Sequence, residues 1–141
     1  MDLPESPQVE EETENGFIQS GGFTYEAEDE RSYSMLTLKF GIQREGFEKM
    51  VFTSMEAKAD QGVDAPSFQL WLSEDNQKMT VKVDSELDQM EIADYTRFSA
   101  IIRNIEVDEE SGTLVFTFDR PTQVHPYEWK GLLIIDYEER Q

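Results

Sequence analysis

Alternation of apolar and polar residues with a period of two dominates this chain and points it toward extended structure. In Leu36-Thr37-Leu38-Lys39-Phe40-Gly41-Ile42 the apolar side chains fall on one face and Thr37 and Lys39 on the other, the pattern of a half-buried strand. The turn signal Gln43-Arg44-Glu45-Gly46 and the run Met50-Val51-Phe52-Thr53-Ser54-Met55 follow, and so short a connection predicts an antiparallel hairpin. Residues 57–67, with Gly62, Asp64 and Pro66, read as a loop.

A second hairpin is predicted from Phe68, Leu70 and Leu72, alternating with Gln69 and Trp71, and from Met79, Val81 and Val83, alternating with Thr80 and Lys82. The polar turn Ser73-Glu74-Asp75-Asn76-Gln77 joins the two. Asp84 to Asp94 supports two readings. Ser85 with Asp88, and the spacing of Leu87, Met90 and Ala93, suit a short helix, and two short strands fit nearly as well. A third hairpin pairs Phe98–Val107 with Thr113–Phe118 across Asp108-Glu109-Glu110-Ser111-Gly112, the glycine suiting a left-handed closing position. Gln123 to Trp129, interrupted by Pro126, reads as an edge or a turn. Leu132-Leu133-Ile134-Ile135-Asp136-Tyr137 is almost continuously apolar and reads as a central strand covered on both sides.

The expected fold is therefore mainly β: a single-domain antiparallel sandwich or barrel of about seven to nine strands with at most one short helix. Its length of 141 residues suits one domain. Residues 1–15 hold two prolines and six acids with little apolar surface, so they are expected to form a disordered acidic arm ahead of a β-rich domain over 16–141.

Charge sets the expected partner. The chain carries 12 Lys+Arg against 31 Asp+Glu, a formal net charge of -19. Residues 1–30 supply ten of the acids and no base, which leaves a charge of -9 on the remainder. Such a balance repels phosphate backbones and anionic lipid headgroups. Direct nucleic-acid binding and membrane association are thus not expected, and a protein partner with a basic surface is. No apolar run is long enough for a membrane-spanning helix, and Met1-Asp2-Leu3-Pro4-Glu5 lacks the basic and apolar regions of a signal peptide. A cytoplasmic location is the resulting expectation.

Catalytic chemistry has little to draw on. There is no cysteine, which removes thiolate metal sites, disulfides and cysteine nucleophiles. The only imidazole, His125, lies between Val124 and Pro126, and no serine sits in a Gly-x-Ser-x-Gly elbow. Gly21-Gly22 lacks the continuation of a phosphate loop and reads as a bend entering a strand at Phe23. Neither a cofactor nor a metal is expected. An enzyme working by carboxylates alone is held in reserve, and it would need two buried acids from different strands in one pocket.

Candidate binding residues fall in two classes. Glu106, Asp108, Glu109 and Glu110 crowd one hairpin end. Trp71, Tyr95, Tyr127 and Trp129 lie outside the strongest core pattern, where aromatic residues serve as contact anchors or sugar-stacking groups. The sequence-based reading is a non-enzymatic acidic interaction or inhibitor protein that binds a basic protein surface. Its narrowest form is a nucleic-acid mimic of the small acidic type encoded by phages. The alternative is a small-ligand or carbohydrate-binding β domain.

Overall fold

Phe68, Leu70 and Leu72 are buried while Gln69 and Trp71 between them are exposed, so the period-two pattern is realised side chain by side chain. The computed structural model describes residues 11–12, 17–27, 32–42, 48–56, 66–84, 86–129 and 131–140. The strands are β1 (Glu11–Glu12), β2 (Ile18–Ser20), β3 (Gly22–Tyr25), β4 (Ser32–Ile42), β5 (Glu48–Glu56), β6 (Phe68–Leu72) and β7 (Lys78–Val83). Beyond them lie β8 (Glu86–Leu87), β9 (Met90–Ile92), β10 (Ile102–Asp108), β11 (Thr113–Phe118), β12 (Thr122–Trp129) and β13 (Leu132–Glu139). The one helical turn among the described residues is a 3-10 segment, Tyr95–Arg97.

These strands form two sheets. The large one has eight strands in the order β1-β2-β12-β13-β5-β4-β8, with β9 also paired to β4, and the small one has five in the order β10-β11-β7-β6-β3. The fold is mainly β and is not a closed barrel, and its strand number exceeds the seven to nine expected. The excess comes from two- and three-residue pieces, β1, β2, β8 and β9, too short to carry an alternation of their own.

One hydrophobic cluster draws on both sheets. Leu36, Leu38, Met50, Phe52, Val124, Leu133, Ile135 and Tyr137 come from the large sheet, and Phe68, Leu70, Met79, Val81, Leu114, Phe116 and Phe118 from the small one. Phe118 and Tyr137 stack across the gap with ring centroids 6.0 Å apart. Each fully buried side chain of this size contributes roughly 1.5 to 3 kcal/mol, so this shared core, in a chain without disulfides, is the main stabilising feature.

Three expectations need correction or completion. Gln123 to Trp129 is no turn or edge but part of the eight-residue β12, paired along its length to β13 and at Val124 to Ile18 of β2. Pro126 is tolerated because that second pairing is confined to Val124, so the missing N–H disrupts no continuous ladder. Asp84 to Asp94 takes the two-strand alternative, and both pieces pair parallel to β4, so the fold is not purely antiparallel. The third hairpin begins at Ile102, not Phe98, because residues 95–97 form the 3-10 turn and Phe98 caps it.

Elsewhere the segments match. The hairpins β4–β5, β6–β7 and β10–β11 are antiparallel. Residues 133–137 of β13 are buried consecutively, as expected of a strand flanked by β12 and β5. Gly21, at a φ of 83°, turns the chain from β2 in the large sheet to β3 in the small one. Of the acidic arm 1–15 only Glu11–Glu12 are described, paired with β2; the rest of the arm, the turn at 43–46, Ser85 and residues 57–65 of the expected loop lie outside the described residues.

Candidate functional site

Register places the outward side chains of the small sheet in rows. Gly22, Trp71, Thr80, Val115 and Glu106 are successive cross-strand partners, and so are Thr24, Gln69, Lys82, Thr113 and Asp108. A shorter third row runs Lys78, Thr117, Asn104. Trp71 is 44% exposed at the centre of the β3–β6–β7 part of this face. Gly22 beside it adds no side chain on that flank of the indole. That glycine is required by packing, since a Cβ there would stand 2.7 Å from the Leu70 carbonyl oxygen.

Lys78 and Lys82 are exposed on β7, two residues before and two residues after Thr80, and therefore diagonal to Trp71 on the same face. Neither joins an ion pair with a described residue. These lysines were not singled out from the sequence. Their period-two spacing around Thr80 was visible in it, but their relation to Trp71 appears only once the β6–β7 register is known.

The acidic hairpin end lies on the far margin of this same sheet. Glu106, Asp108, Glu109 and Glu110 are all exposed. Asp108 Oδ1 accepts from the backbone N–H groups of Glu110 at 3.2 Å and Ser111 at 3.4 Å, which orders the turn. Gly112 closes it at a φ of 70°, and its carbonyl accepts from Val83 N at 2.8 Å. The acids are thereby held on a short hairpin anchored to β7 rather than on a loose loop.

Tyr127 and Trp129 lie on the other outside, the outer face of the large sheet, together with His125. The β12–β13 register sets His125 opposite Asp136 and Tyr127 opposite Ile134, and Asp136 is opposite Lys49 of β5. Lys49 Nζ stands 3.9 Å from Asp136 Oδ1. The imidazole packs between Tyr127, at 4.9 Å between ring centroids, and Phe17, at 5.8 Å. Burial, and then the adjacent Asp136 carboxylate that accepts the Tyr127 hydroxyl, push the Tyr127 pKa well above its ordinary value. This cluster packs and neutralises a buried carboxylate on an outer sheet face.

Two acids among the described residues are buried, Glu48 and Asp136. Glu48 faces the core side, where Ser99 Oγ donates to it at 2.5 Å and Ala100 N at 2.7 Å. Because Glu48 pairs with Tyr137 and Lys49 with Asp136, the two carboxylates project from opposite faces of the large sheet, so they do not converge as a two-carboxylate mechanism requires. Tyr95, in its 3-10 turn, packs its ring against Phe40 at 6.3 Å and against the core margin. The expected site residues thus divide into three places. Trp71 shares a face with Glu106 and Asp108, Glu109 and Glu110 sit in the turn at the end of that hairpin, Tyr127 and Trp129 occupy the opposite outside, and Tyr95 joins neither.

Among the described residues no group of three or more His, Asp or Glu side chains is placed to hold a metal ion, and no helix is long and apolar enough to cross a membrane. Compared with protein-family models, with curated proteins and with solved structures, the chain matches none.

Proposed function

We propose that this is a non-enzymatic interaction protein of the cytoplasm that docks on a positively charged protein surface through the acidic end of the β10–β11 hairpin. The observation that carries this reading is the presentation of Glu106, Asp108, Glu109 and Glu110, four exposed carboxylates on one hairpin with a hydrogen-bonded turn. Carboxylates carried on an ordered backbone leave less chain to be fixed on contact with Lys or Arg, and their sign favours encounter with a basic partner. The scaffold in this reading is a β-sandwich whose shared core fixes the hairpin. Inhibition by nucleic-acid mimicry is its narrowest form, and β10 supplies one short column of fixed acids for it, Glu106 and Asp108.

The test is co-purification from the native cell at about 0.05 M and about 0.5 M salt, where screening differs severalfold in range. A variant carrying Glu106→Lys, Glu109→Lys and Glu110→Lys keeps Asp108 and so keeps the turn. The wild type is expected to retain a basic partner at low salt and release it at high salt, and the variant to retain none with an unchanged melting temperature. Equal capture by both proteins overturns the reading.

A second reading, a small-ligand or carbohydrate-binding domain, is favoured by a separate observation: the exposure of Trp71 among the hydrogen-bonding side chains of Thr24, Gln69 and Thr80.

A further inference from the structure

The small sheet's outer face carries an arrangement that the acidic hairpin does not explain. In a chain with a net charge of -19, the one large aromatic exposed on this face among the described residues lies between two lysines that have no described ion-pair partner. We propose that Trp71, Lys78 and Lys82, with Gln69, Thr24 and Thr80, form a binding site for an acidic saccharide of the hexuronate type.

A sugar ring has an apolar C–H face that stacks on an indole and an edge of hydroxyls that needs donors and acceptors. Trp71, 44% exposed and with the side-chain-free Gly22 directly across from it, offers the first. Gln69 and Thr80 offer the second from adjacent positions, one two residues along β6 and one directly across on β7. Thr24, opposite Gln69, adds a hydroxyl on the β3 side.

The choice of an acidic sugar rests on charge. Diagonal cross-strand neighbours lie roughly 7 to 8 Å apart at their Cα atoms, within the span of a lysine side chain reaching toward a ligand stacked on Trp71. Lys82 lies opposite Gln69 and Thr113, with no acid directly across on either neighbouring strand. Lys78 is influenced by Asp75 in the adjoining turn, which it helps to hold below the usual carboxylate range after the hydrogen bonds from Ser73 and Gln77. Glu106 stands three strands from Trp71, about 14 Å away at the usual strand spacing. Beyond about 8 Å its repulsion is largely screened at physiological salt, while a carboxylate near the lysines is not. A carboxylate carried on the stacked ring itself places its charge beside the lysines diagonal to Trp71, so one carboxylate per ring is the match.

The test uses the full chain with Trp129→Phe, a substitution on the opposite outside that leaves Trp71 as the only tryptophan. Its fluorescence is titrated with trigalacturonic acid, with the neutral maltotriose and with AMP, each up to about 10 mM, a range that covers weak lectin-like affinities. The expected result is a saturable change with trigalacturonic acid at least about tenfold tighter than with maltotriose, a gap of about 1.4 kcal/mol. It should be weakened by salt and lost in the Lys78→Ala/Lys82→Ala variant at unchanged melting temperature. No saturable change, equal binding of the neutral sugar, survival of binding in the lysine variant, or tighter binding of AMP each overturns the proposal. The triple hairpin variant with Glu106→Lys, Glu109→Lys and Glu110→Lys should bind the saccharide undiminished, so failure here and failure of the hairpin reading are separate results.

Discussion

Arg140 donates from Nη1 to Oδ1 of Asn76 at 2.9 Å, joining the end of the large sheet to the β6–β7 turn of the small one. The Asn76 side-chain amide donates in turn to the carbonyls of Gln19 at 2.7 Å and Thr122 at 3.2 Å, and the Asn76 backbone carbonyl accepts from Thr122 N at 2.8 Å. With 1% of its surface exposed and a φ of 59°, this residue meets two demands at once. Its side chain satisfies buried carbonyls, and asparagine tolerates the left-handed region better than alanine does.

Asn76→Ala should therefore destabilise by about 3 kcal/mol, from two deprived carbonyls and an unfavourable backbone conformation. Asn76→Gly keeps the backbone conformation and should lose about 1 kcal/mol less. Urea denaturation midpoints check both. Equal losses would assign the whole effect to the side-chain hydrogen bonds.

Alkaline pH should unfold the protein earlier than an average surface would predict. Burial first, and then the neighbouring Glu48 carboxylate, raise the Tyr137 pKa far above its ordinary value of 10.0, and its hydroxyl forms no well-aligned hydrogen bond with the adjacent Ser99 or Glu48. Above pH 10 the unfolded chain releases this proton and the folded chain holds it, so the unfolded state gains stability as pH rises. The contribution is intact below about pH 10 and declines above it, by about 1.4 kcal/mol per pH unit. Tyr127 shifts in the same direction but is partly solvated, and its share is smaller. Melting temperatures from pH 8 to pH 11 should fall less steeply for Tyr137→Phe than for the wild type.

The parts of the fold legible in the sequence are those decided within one strand or one tight hairpin. Leu36 and Leu38, or Phe68, Leu70 and Leu72, reveal their buried face because neighbours along a strand point to opposite sides. Trp71 was out of phase with its neighbours for the same reason, although only the structure decides between solvent and a second covering layer on that side. What stayed hidden depends on chain segments distant in sequence. The parallel pairing of Met90–Ile92 with β4 is set by the open edge of that strand. The step from β2 to β3 at Gly21 is set by which sheet each can join. His125 meets Asp136 because the β12–β13 hairpin closes at Trp129 and Leu132 over Gly131, whose φ is 82°. In the sequence Pro126 makes Gln123 to Trp129 read as an edge or a turn, and the glycine at 131 that closes the hairpin is no part of that reading.

Gly112→Ala should be costly at a position that looks like an ordinary turn. The φ of 70° disfavours any side chain, and a Cβ would stand 2.9 Å from the Val83 carbonyl oxygen, a backbone atom of a central strand that cannot swing away. A loss of about 2 kcal/mol is expected, measured by chemical denaturation. Little or no loss would mean that the hairpin shifts freely against β7, and the acids on it would then not be held in place.

Leu70 and Trp71 are consecutive in β6 and should respond to truncation in opposite ways. Leu70 is 1% exposed and belongs to the core shared by the two sheets, so Leu70→Ala leaves a cavity bounded by both and should cost about 3 kcal/mol. Trp71, on the solvent side of the same strand, loses mostly surface contacts on truncation. Trp71→Ala should therefore stay within about 1 kcal/mol of the wild type despite removing the larger side chain. Size alone predicts the reverse order, so guanidinium denaturation of the two variants separates burial from bulk. A larger loss for Trp71→Ala would mean that the indole is packed under some other part of the chain, and the ligand site built on its exposed face would fall with it.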